Sequence, residues 1–397
     1  MKRNRRRLVL RLAVLITVVL APVLLAGCWG VASMEKTGLV ALMGIDTAPG
    51  NEYQVTIAVT NPLGLPTPTG GAPGGPPELV RSAVGSSIVD AVRGLAATTY
   101  LKLNFTHMRG IVVSQAVARL GLAAPLEFMA RSRQFEETPI LYVARGESAS
   151  AIVSESQQMM PDAGEVLTGT TTWAQHLFPG YADRVFSFLN QMQTEGDEPA
   201  TAGVSVASSQ GQGPTLAFRL TGTAMFRSDR LVGWLDGPQS LGWLVATGRA
   251  KQQILVAPAR NGGTFTLQIR GDRRRIRITQ TSAGPHADIR VDVGAQLMSA
   301  DGAPAAFWTS PAALAAVRDG AANVLTSDMR GALQEAQSAG SDIFSLGEYV
   351  RLQDPAAWYR LKGNWNTWAF PHMTIAIQVL VTIRSVGKTF CPILWPC

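Results

Sequence analysis

Apolar and polar residues alternate over the segment 39–59, a pattern typical of paired β-strands. Leu39–Ile45 is a short apolar run, and apolar side chains occupy every second position from Tyr53 to Val59. The letters APGN at residues 48–51 separate the two runs, and Pro, Gly and Asn are favoured in tight turns. The pattern therefore predicts a β-hairpin. The Pro- and Gly-rich stretch at residues 63–77 predicts a loop.

From residue 86 to about residue 195, the apolar spacing switches between the helical and the strand period. Ser87, Ser114 and Ser148 each precede a stretch with helical spacing. A serine hydroxyl can accept a hydrogen bond from a backbone N–H group at a helix start. Strand-like runs occur in FTHMRGIVVS (105–114) and TPILYVARG (138–146). This succession predicts a mixed α/β layer domain that closes near residue 195.

The second half contains further strand-like runs. A hairpin is expected at residues 216–235, within this half, followed by runs at 252–259, 264–271, 274–281 and 287–299. Gly271-Asp272 is the predicted turn between the second and third of these later runs. Their alternation predicts an antiparallel meander with one solvated face.

A long helix and a last strand complete the second half. Ser310-Pro311 is the expected helix start, because proline suits the first helical position. The stripe of apolar residues on one helix face comprises Leu314, Val317, Ala321, Val324, Leu325, Met329 and Leu333. Met373–Ile383 is the predicted last strand. The fold class is therefore α+β with several domains: an N-terminal mixed α/β part and a C-terminal antiparallel sheet packed with a long helix.

The spacing of apolar residues and the local composition divide the whole chain into five predicted regions. They are a signal peptide (1–27), an N-terminal region (28–195), a connecting segment (196–217), a C-terminal domain (218–388) and a tail (389–397).

The N-terminus has the features of a lipoprotein signal. The basic head MKRNRRRLVLR is followed by an apolar segment, Leu12–Gly27, which is shorter than the roughly 20 residues of a membrane-spanning helix. Small residues precede Cys28 in LLAGC, which resembles the lipobox of bacterial lipoproteins. Cys28 is therefore the predicted lipidation site. The alternatives are an ordinary signal peptide with a chance cysteine and an uncleaved anchor.

The net charge of +7 derives mostly from this signal. The chain has 35 Lys and Arg against 28 Asp and Glu. Six of the basic residues and none of the acidic residues lie in the first 27, so 29 basic residues remain against 28 acidic ones after cleavage. A nearly neutral mature chain gives no support to nucleic-acid binding.

Common catalytic signatures are missing from the sequence. It has no HExxH, no Walker loop and no GxSxG motif, and its four histidines are scattered. Glu136 and Glu137 are adjacent, so in a strand they would point to opposite faces. We predict that the protein is not an enzyme and has no catalytic residues, cofactor or metal site.

Three features leave alternatives open. The basic run RGDRRRIR (270–277) is either a solvated strand face or a contact for anionic lipid headgroups or an acidic partner. Ile276 and Ile278 are expected on one side of it, opposite three arginines. The tryptophans around KGNWNTW (362–368) are either core residues or a partner interface. Cys391 and Cys397 either form a disulfide or remain thiols.

Six segments, taken in order, form a specific set. They are LLAGCW (24–29), GIDTAPGNEYQVTIAVTNP (44–62), HMRGIVVSQAVARLGLAAPLEFMARS (107–132), TPILYVARGESASAIV (138–153), GTAMFRSDRLVGWL (222–235) and SDIFSLGEYVRLQDPAAWYRLKGNWNTWAF (341–370). The set resembles the Ger(x)C family, the lipoprotein C subunits of spore germination receptors. Two motifs depart from the family pattern: Gly30 replaces the usual Asp, and Ser345-Leu346 replace the usual Gly-Phe.

The resemblance implies a non-catalytic subunit of a receptor that small nutrients trigger during spore germination. Its implied partners are two integral membrane subunits, of the A and B types, and membrane lipid through acylated Cys28. The implied location is the outer face of the inner spore membrane. The alternative is a solute-binding lipoprotein of an importer, which would have two lobes of parallel strands and is disfavoured by the predicted antiparallel meander.

Overall fold

The computed structural model describes most of the chain beyond its N-terminus. The described residues are 36–61, 64, 76–132, 135, 138–156, 163–207, 217–259, 263–282, 284–301 and 310–386. Most of the predicted loop at 63–77, Glu136-Glu137 and both tail cysteines lie outside them. Within the described residues, two β-sheets and their helices enclose three apolar clusters.

The first sheet has a parallel centre flanked by antiparallel strands. Its strands are β1 (Thr37–Ala48), β2 (Glu52–Thr60), β3 (Glu78–Gly85), β4 (Lys102–Asn104), β5 (Gly110–Ser114), β6 (Ile140–Ala144), β7 (Asp183–Arg184), β8 (Ala200–Ala207), β9 (Ala217–Arg227) and β10 (Arg230–Leu235). The order is β10-β9-β8-β6-β5-β1-β2-β3, with β4 beside β1 and β7 beside β6. β1, β5, β6 and β8 pair in parallel, whereas β1-β2-β3 and β8-β9-β10 are antiparallel. The predicted hairpin at 39–59 is confirmed.

Helices cover both faces of the first sheet. They are α1 (Ile88–Ala97), α2 (Gln115–Leu120), α3 (Ala123–Arg131), α4 (Ala149–Ser156), α5 (Ala163–Leu177) and α6 (Val185–Gln193). α1, α2, α3 and α6 share one apolar core with the sheet, and α4 and α5 share another on the opposite face. Because side chains alternate along a strand, β1 sends Met43 into the first core and Leu42 into the second. The predicted mixed α/β layers are confirmed.

Serine hydroxyls cap three of the predicted helix starts. Ser87 Oγ accepts a hydrogen bond from the Asp90 N–H at 3.2 Å, and Ser114 Oγ accepts from the Val117 N–H at 3.3 Å. Ser148 Oγ likewise accepts from the Ala151 N–H at 3.1 Å. Each hydroxyl satisfies a donor that a helix start leaves without an intrahelical partner, so these three starts are confirmed.

The β9-β10 hairpin belongs to the first sheet, although the sequence pattern groups it with the second half. β8 pairs with β6 along one edge and with β9 along the other. β8 itself lies within the segment 196–217, which is predicted to be a connection. Its residues 200–205 are buried, so their backbone groups need partners at both edges. Alternation identifies a strand but not its neighbour, and the exact domain limits stay a prediction.

The second sheet is mixed rather than wholly antiparallel. Its strands, in order, are β11 (Ile254–Pro258), β12 (Thr264–Thr281), β13 (Gly284–Ala300) and β14 (Thr374–Ser385). β11, β12 and β13 are antiparallel, but β14 runs parallel to β13. The chain crosses from β13 to β14 through helices, and such a crossover allows a strand to return in the same direction.

The predicted turn at Gly271-Asp272 is wrong, because β12 is a single strand of 18 residues. Its register with β13 shifts between Ile269 and Gly271, and Gly271 has a φ of 137°. One extra residue is thus accommodated as a β-bulge. A glycine that could form a turn can equally form a bulge, and the sequence pattern does not separate the two.

One long helix, α8 (Pro311–Ala339), packs on the second sheet as predicted. Ser310 Oγ accepts a hydrogen bond from the Ala313 N–H at 3.3 Å, and Pro311 occupies the first turn. All members of the predicted stripe face the apolar core, five of them buried and Leu314 and Val324 partly buried. α7 (Gly237–Ala246), α9 (Leu346–Gln353) and α10 (Pro355–Leu361) share this core. None of the described helices is long and apolar enough to cross a membrane.

α7 and α8 cross with their backbones in contact at Gly242. A Cβ atom on Gly242 would lie 2.3 Å from the carbonyl carbon of Asp328 and 2.5 Å from the Met329 nitrogen. The neighbouring Trp243 is fully buried and donates its indole N–H to the Ile343 carbonyl oxygen at 2.8 Å. The crossing therefore anchors α7 between α8 and the segment that follows α8.

Gly242→Ala should lower the free energy of unfolding by about 1–3 kcal/mol, because the helices must separate to admit a methyl group. Gly331→Ala is the matched control on α8. Its Cβ would meet the Gln239 side chain, with Cγ at 3.5 Å and Nε2 at 3.9 Å, which is ordinary contact. Alanine also favours a helix by up to about 1 kcal/mol over glycine. Urea unfolding measures the free energy of unfolding of both variants. An equal loss of stability in Gly242→Ala and Gly331→Ala would contradict the close crossing.

Candidate functional site

Cys28, the predicted lipidation residue, lies outside the described residues. β1 begins at Thr37, nine residues later in the sequence. Cys28 is the one site residue that the sequence predicts. The structure nevertheless brings together a group of carboxylates where the first sheet meets the C-terminal helices, and we call Glu195, Asp197, Glu198 and Asp342 the junction carboxylates.

Three chain segments meet at this junction. Residues 195–198 lie between α6 and β8. Residues 341–348 follow α8 and include the start of α9, and residues 365–369 form a single π-helical turn after α10. The Glu348 N–H donates to the Gly196 carbonyl oxygen at 2.9 Å, and the Glu198 N–H donates to the Asp342 carbonyl oxygen at 3.3 Å. Main-chain hydrogen bonds therefore join the first sheet to the C-terminal region.

Two glycines allow these segments to touch. A Cβ on Gly196 would lie 2.4 Å from the Gly347 carbonyl carbon, and a Cβ on Gly347 would lie 2.7 Å from the Gly196 Cα. Gly196 also has a φ of 83°, which favours glycine. A side chain at either position would force the two backbones apart.

Asp342 is completely buried and receives three hydrogen bonds. Its carboxylate accepts from the Leu346 N–H at 3.0 Å, the Gly347 N–H at 2.7 Å and the Trp365 indole N–H at 2.9 Å. Loss of solvation raises the pKa of Asp342 to about 7, and the three donors offset part of that cost. The two backbone donors lie in the first turn of α9, where a helix favours negative charge.

Ser345 occupies a position where the Ger(x)C pattern usually has glycine. Its φ is 59°, in the left-handed region that glycine adopts most readily. The Ser345 hydroxyl donates to Asp197 Oδ1 at 2.8 Å. The departure from the motif thus adds a hydrogen bond across the junction at a backbone position that disfavours a side chain.

Asp197 and Glu198 also hold their protons more tightly than usual. Glu198 accepts hydrogen bonds from the Ser228 N–H and from Asn366 Nδ2. Loss of solvation raises the pKa of Glu198 to about 7 and that of Asp197 to about 6. The negative charge of Asp197 raises the pKa values of Asp342 and Glu198 further, and that of Glu348 raises the pKa of Asp197. The junction therefore becomes more favourable as Asp197, Glu198 and Asp342 take up protons.

Glu195 lies at the rim of an open pocket. It accepts hydrogen bonds from the Trp358 indole N–H at 2.9 Å and from Lys362 Nζ at 3.4 Å, and the Trp358 bond is the main cause of its lowered pKa. The pocket has a volume of about 390 Å³ and is walled by both tryptophans of the junction, Trp358 and Trp365. These two rings lie 5.4 Å apart, edge to face.

The tryptophans around KGNWNTW divide between the two predicted alternatives. Trp358 and Trp365 are core residues, because both are buried in the C-terminal cluster. Trp368 is 48% exposed and stacks on His372, with 5.7 Å between the ring centroids. The segment is therefore mainly structural, with one exposed indole.

The chemistry of the junction suits a joint between two parts of the protein. Each junction carboxylate accepts at least one hydrogen bond from a different chain segment, and such charge-assisted bonds are strong. Sequence reasoning missed the cluster because Asp197 and Asp342 are separated by more than a hundred residues, and an acidic residue gives no sign of its burial. The sequence does hold one clue to the cluster. Two stretches, TEGDEP (194–199) and SDIFSLGE (341–348), each combine a glycine with acidic residues.

The chain matches two protein-family models, one for each half. Residues 31–206 match the model described as "Spore germination protein N-terminal domain". Residues 221–387 match the model described as "Spore germination B3/GerAC like, C-terminal".

Individual spore germination proteins and one solved structure are also similar to this chain. Spore germination protein KC of Bacillus subtilis (strain 168) is 22% identical over 410 residues, which cover 98% of each chain. Spore germination protein B3 of the same organism is 21% identical over 86% of this chain and 89% of its own. The crystal structure of the GerBC protein superposes with a TM-score of 0.52 at 16% identity, over 86% of this chain and 96% of that one, which shows a shared fold.

The raised pKa values predict that the junction weakens as pH rises. A carboxyl group with a pKa near 7 in the folded protein and about 4.5 in the unfolded chain stabilises the fold at low pH. This stabilisation is lost between about pH 4 and pH 7. Glu198→Gln should therefore reduce the difference between the unfolding free energies at pH 5 and pH 8 by about 2–3 kcal/mol.

Glutamine suits this position because it can keep both contacts. Its carbonyl oxygen can accept from the Ser228 N–H, and its amide can donate to Asn366 Oδ1, which has no hydrogen-bond partner among the described residues, once the Asn366 amide turns over. Glu127→Gln, which removes an exposed carboxylate from α3, is the control. Chemical denaturation between pH 5 and pH 8 measures the free energy of unfolding of the wild type and both variants. If the free energy of Glu198→Gln changes with pH as that of the wild type does, Glu198 does not have a raised pKa.

Proposed function

This chain belongs to the Ger(x)C family of spore germination proteins, and we propose that it is the lipid-anchored, non-catalytic C subunit of a germinant receptor. Its relatives support a role in spore germination and a spore-associated location. One observation carries the proposal: LLAGC, with the features of a lipoprotein signal, precedes a chain that matches spore germination protein KC over 98% of its length.

Anchoring at Cys28 would proceed by ordinary thiol chemistry. The Cys28 sulfur gives up its proton and forms a thioether bond to the glycerol of a phospholipid, whose phosphate headgroup leaves. Water then cleaves the Gly27–Cys28 peptide bond. Acyl chains bury their methylene groups in the bilayer and hold the folded body at its surface.

The anchor places the folded body beside integral membrane partners. Confinement to a surface raises the effective concentration of a protein towards neighbours in the same membrane. The proposed partners are the A- and B-type integral subunits, on the outer face of the inner spore membrane. A non-catalytic role is supported by the junction, whose carboxylates are engaged in joining the two halves of the chain.

Cys28→Ala should release the protein from the membrane fraction or misplace it, and germination with nutrients should be strongly reduced. Cys391→Ala is the matched control, because it removes a cysteine of the tail and leaves the signal intact. Fractionation of spores, with mass spectrometry of the N-terminus, measures the outcome. Normal germination and unchanged fractionation of Cys28→Ala would show that the anchor has no role.

Affinity capture of the protein from solubilised spore membranes should recover two integral membrane subunits of one receptor. Their recovery should be equal for the wild type and Cys391→Ala. Recovery of an importer permease in their place would favour the alternative of a solute-binding lipoprotein and contradict the receptor assignment.

A further inference from the structure

The outer face of the second sheet carries a concentrated set of arginines, which we call the arginine face. Its members are Arg270, Arg273, Arg275 and Arg277 on β12, Arg290 on β13 and Arg384 on β14. All six are exposed. The face gathers positive charge in a chain whose residues after position 27 are nearly neutral overall.

The β-bulge at Gly271 sets the direction of these side chains. Beyond it, Arg273, Arg275 and Arg277 point outward, and Ile276 and Ile278 pack against the core, as the sequence alternation predicts. The inward-facing Arg274 behaves differently. Its guanidinium lies over the Tyr349 ring, 5.4 Å from the centroid, so it supports packing rather than the outer surface.

Acidic side chains on the same face leave most of this charge uncompensated. Asp292 lies 3.5 Å from Arg290, and Asp288 lies 3.2 Å from His286. Within the part of the chain that the structure describes, no ion pair involves Arg273, Arg275, Arg277 or Arg384. The arginine face therefore has a clear positive excess.

The strand register places one pair of like charges opposite each other, between the opposite-charge pairs Arg273–Asp292 and Arg277–Asp288. Arg275 on β12 pairs directly with Arg290 on β13, and Gln378 lies on the other side of Arg290. Like charges at directly opposed positions of a sheet are destabilising. An anion bound between the two guanidinium groups would remove this repulsion, and arginine forms paired hydrogen bonds with phosphate oxygens.

Exposed apolar side chains on the same sheet favour a membrane surface over an acidic protein as the anionic partner. Val256, Met298 and Leu380 are 40–60% exposed. Leu380 pairs in register with Asp292 and so lies on the arginine face, and Val256 pairs with the outward-facing Thr266. A membrane surface offers phosphates to the arginines and an apolar boundary to these residues at the same time.

We propose that the arginine face docks on anionic phospholipid headgroups and holds the C-terminal sheet flat against the bilayer. The proposal rests on the proposed function, because the Cys28 anchor is what brings the folded protein to the bilayer. The two acyl chains of the proposed anchor already suffice for stable binding, so the arginine face would add orientation rather than attachment. The arginine face would thus fix how the anchored body is oriented.

Vesicle flotation tests this contact without the anchor. The polypeptide 28–397, made without its signal and therefore unacylated, contains every residue that the structure describes. It should float with vesicles of phosphatidylglycerol and phosphatidylcholine but not with pure phosphatidylcholine, and added salt should weaken binding through screening. Arg273→Gln/Arg275→Gln/Arg277→Gln should weaken binding roughly 100-fold, since each arginine near an anionic surface contributes about a factor of five.

The control carries the same loss of charge elsewhere. Arg93→Gln/Arg119→Gln/Arg131→Gln removes three exposed arginines from α1, α2 and α3 and should bind like the wild type. Circular dichroism and the melting temperature of each variant confirm folding. Equal binding by both triple variants, or wild-type binding to polyglutamate but to no vesicle, would overturn the proposal. Neither result would contradict lipidation at Cys28, because fractionation of the Cys28→Ala variant tests that proposal separately.

Discussion

The burial of Asp342 is the constraint on which the rest of the structure depends. A carboxylate withdrawn from water is costly unless hydrogen-bond donors replace its solvation. Two of its donors come from the first turn of α9 and the third from Trp365, while its own main-chain oxygen receives the N–H of Glu198. These donors are in place only when three distant segments are folded together. Asp342 therefore couples the first sheet to the C-terminal helices.

This coupling gives a physical reason for a protein with two sheets. The first sheet follows the proposed anchor within nine residues, and the second carries the arginine face. If the two parts could turn freely, lipid contacts at one would not orient the other. The main-chain contact of Gly196 with Gly347 and the hydrogen bonds of Asp342 and Glu198 join them. The raised pKa values of Asp342 and Glu198 also make this joint sensitive to pH near neutrality.

Local features of the fold could be predicted from the sequence, whereas features that depend on distant residues could not. The β1-β2 hairpin, the serine caps and the apolar stripe of α8 follow from spacing, because each depends on neighbours within a few residues. The sheet to which β9 belongs depends on the edge of β8, and the role of Gly271 depends on the register with β13. The buried carboxylates depend on three segments at once. Lipidation of Cys28 was predicted from the signal alone and stays a prediction.

Scanning calorimetry of the protein at pH 6 tests most directly whether the junction unites the two sheets. If it does, the whole chain should unfold in one transition, with equal calorimetric and van't Hoff enthalpies. Two resolved transitions, each with the enthalpy of one sheet and its helices, would show that the halves unfold independently and would contradict the coupling through Asp342.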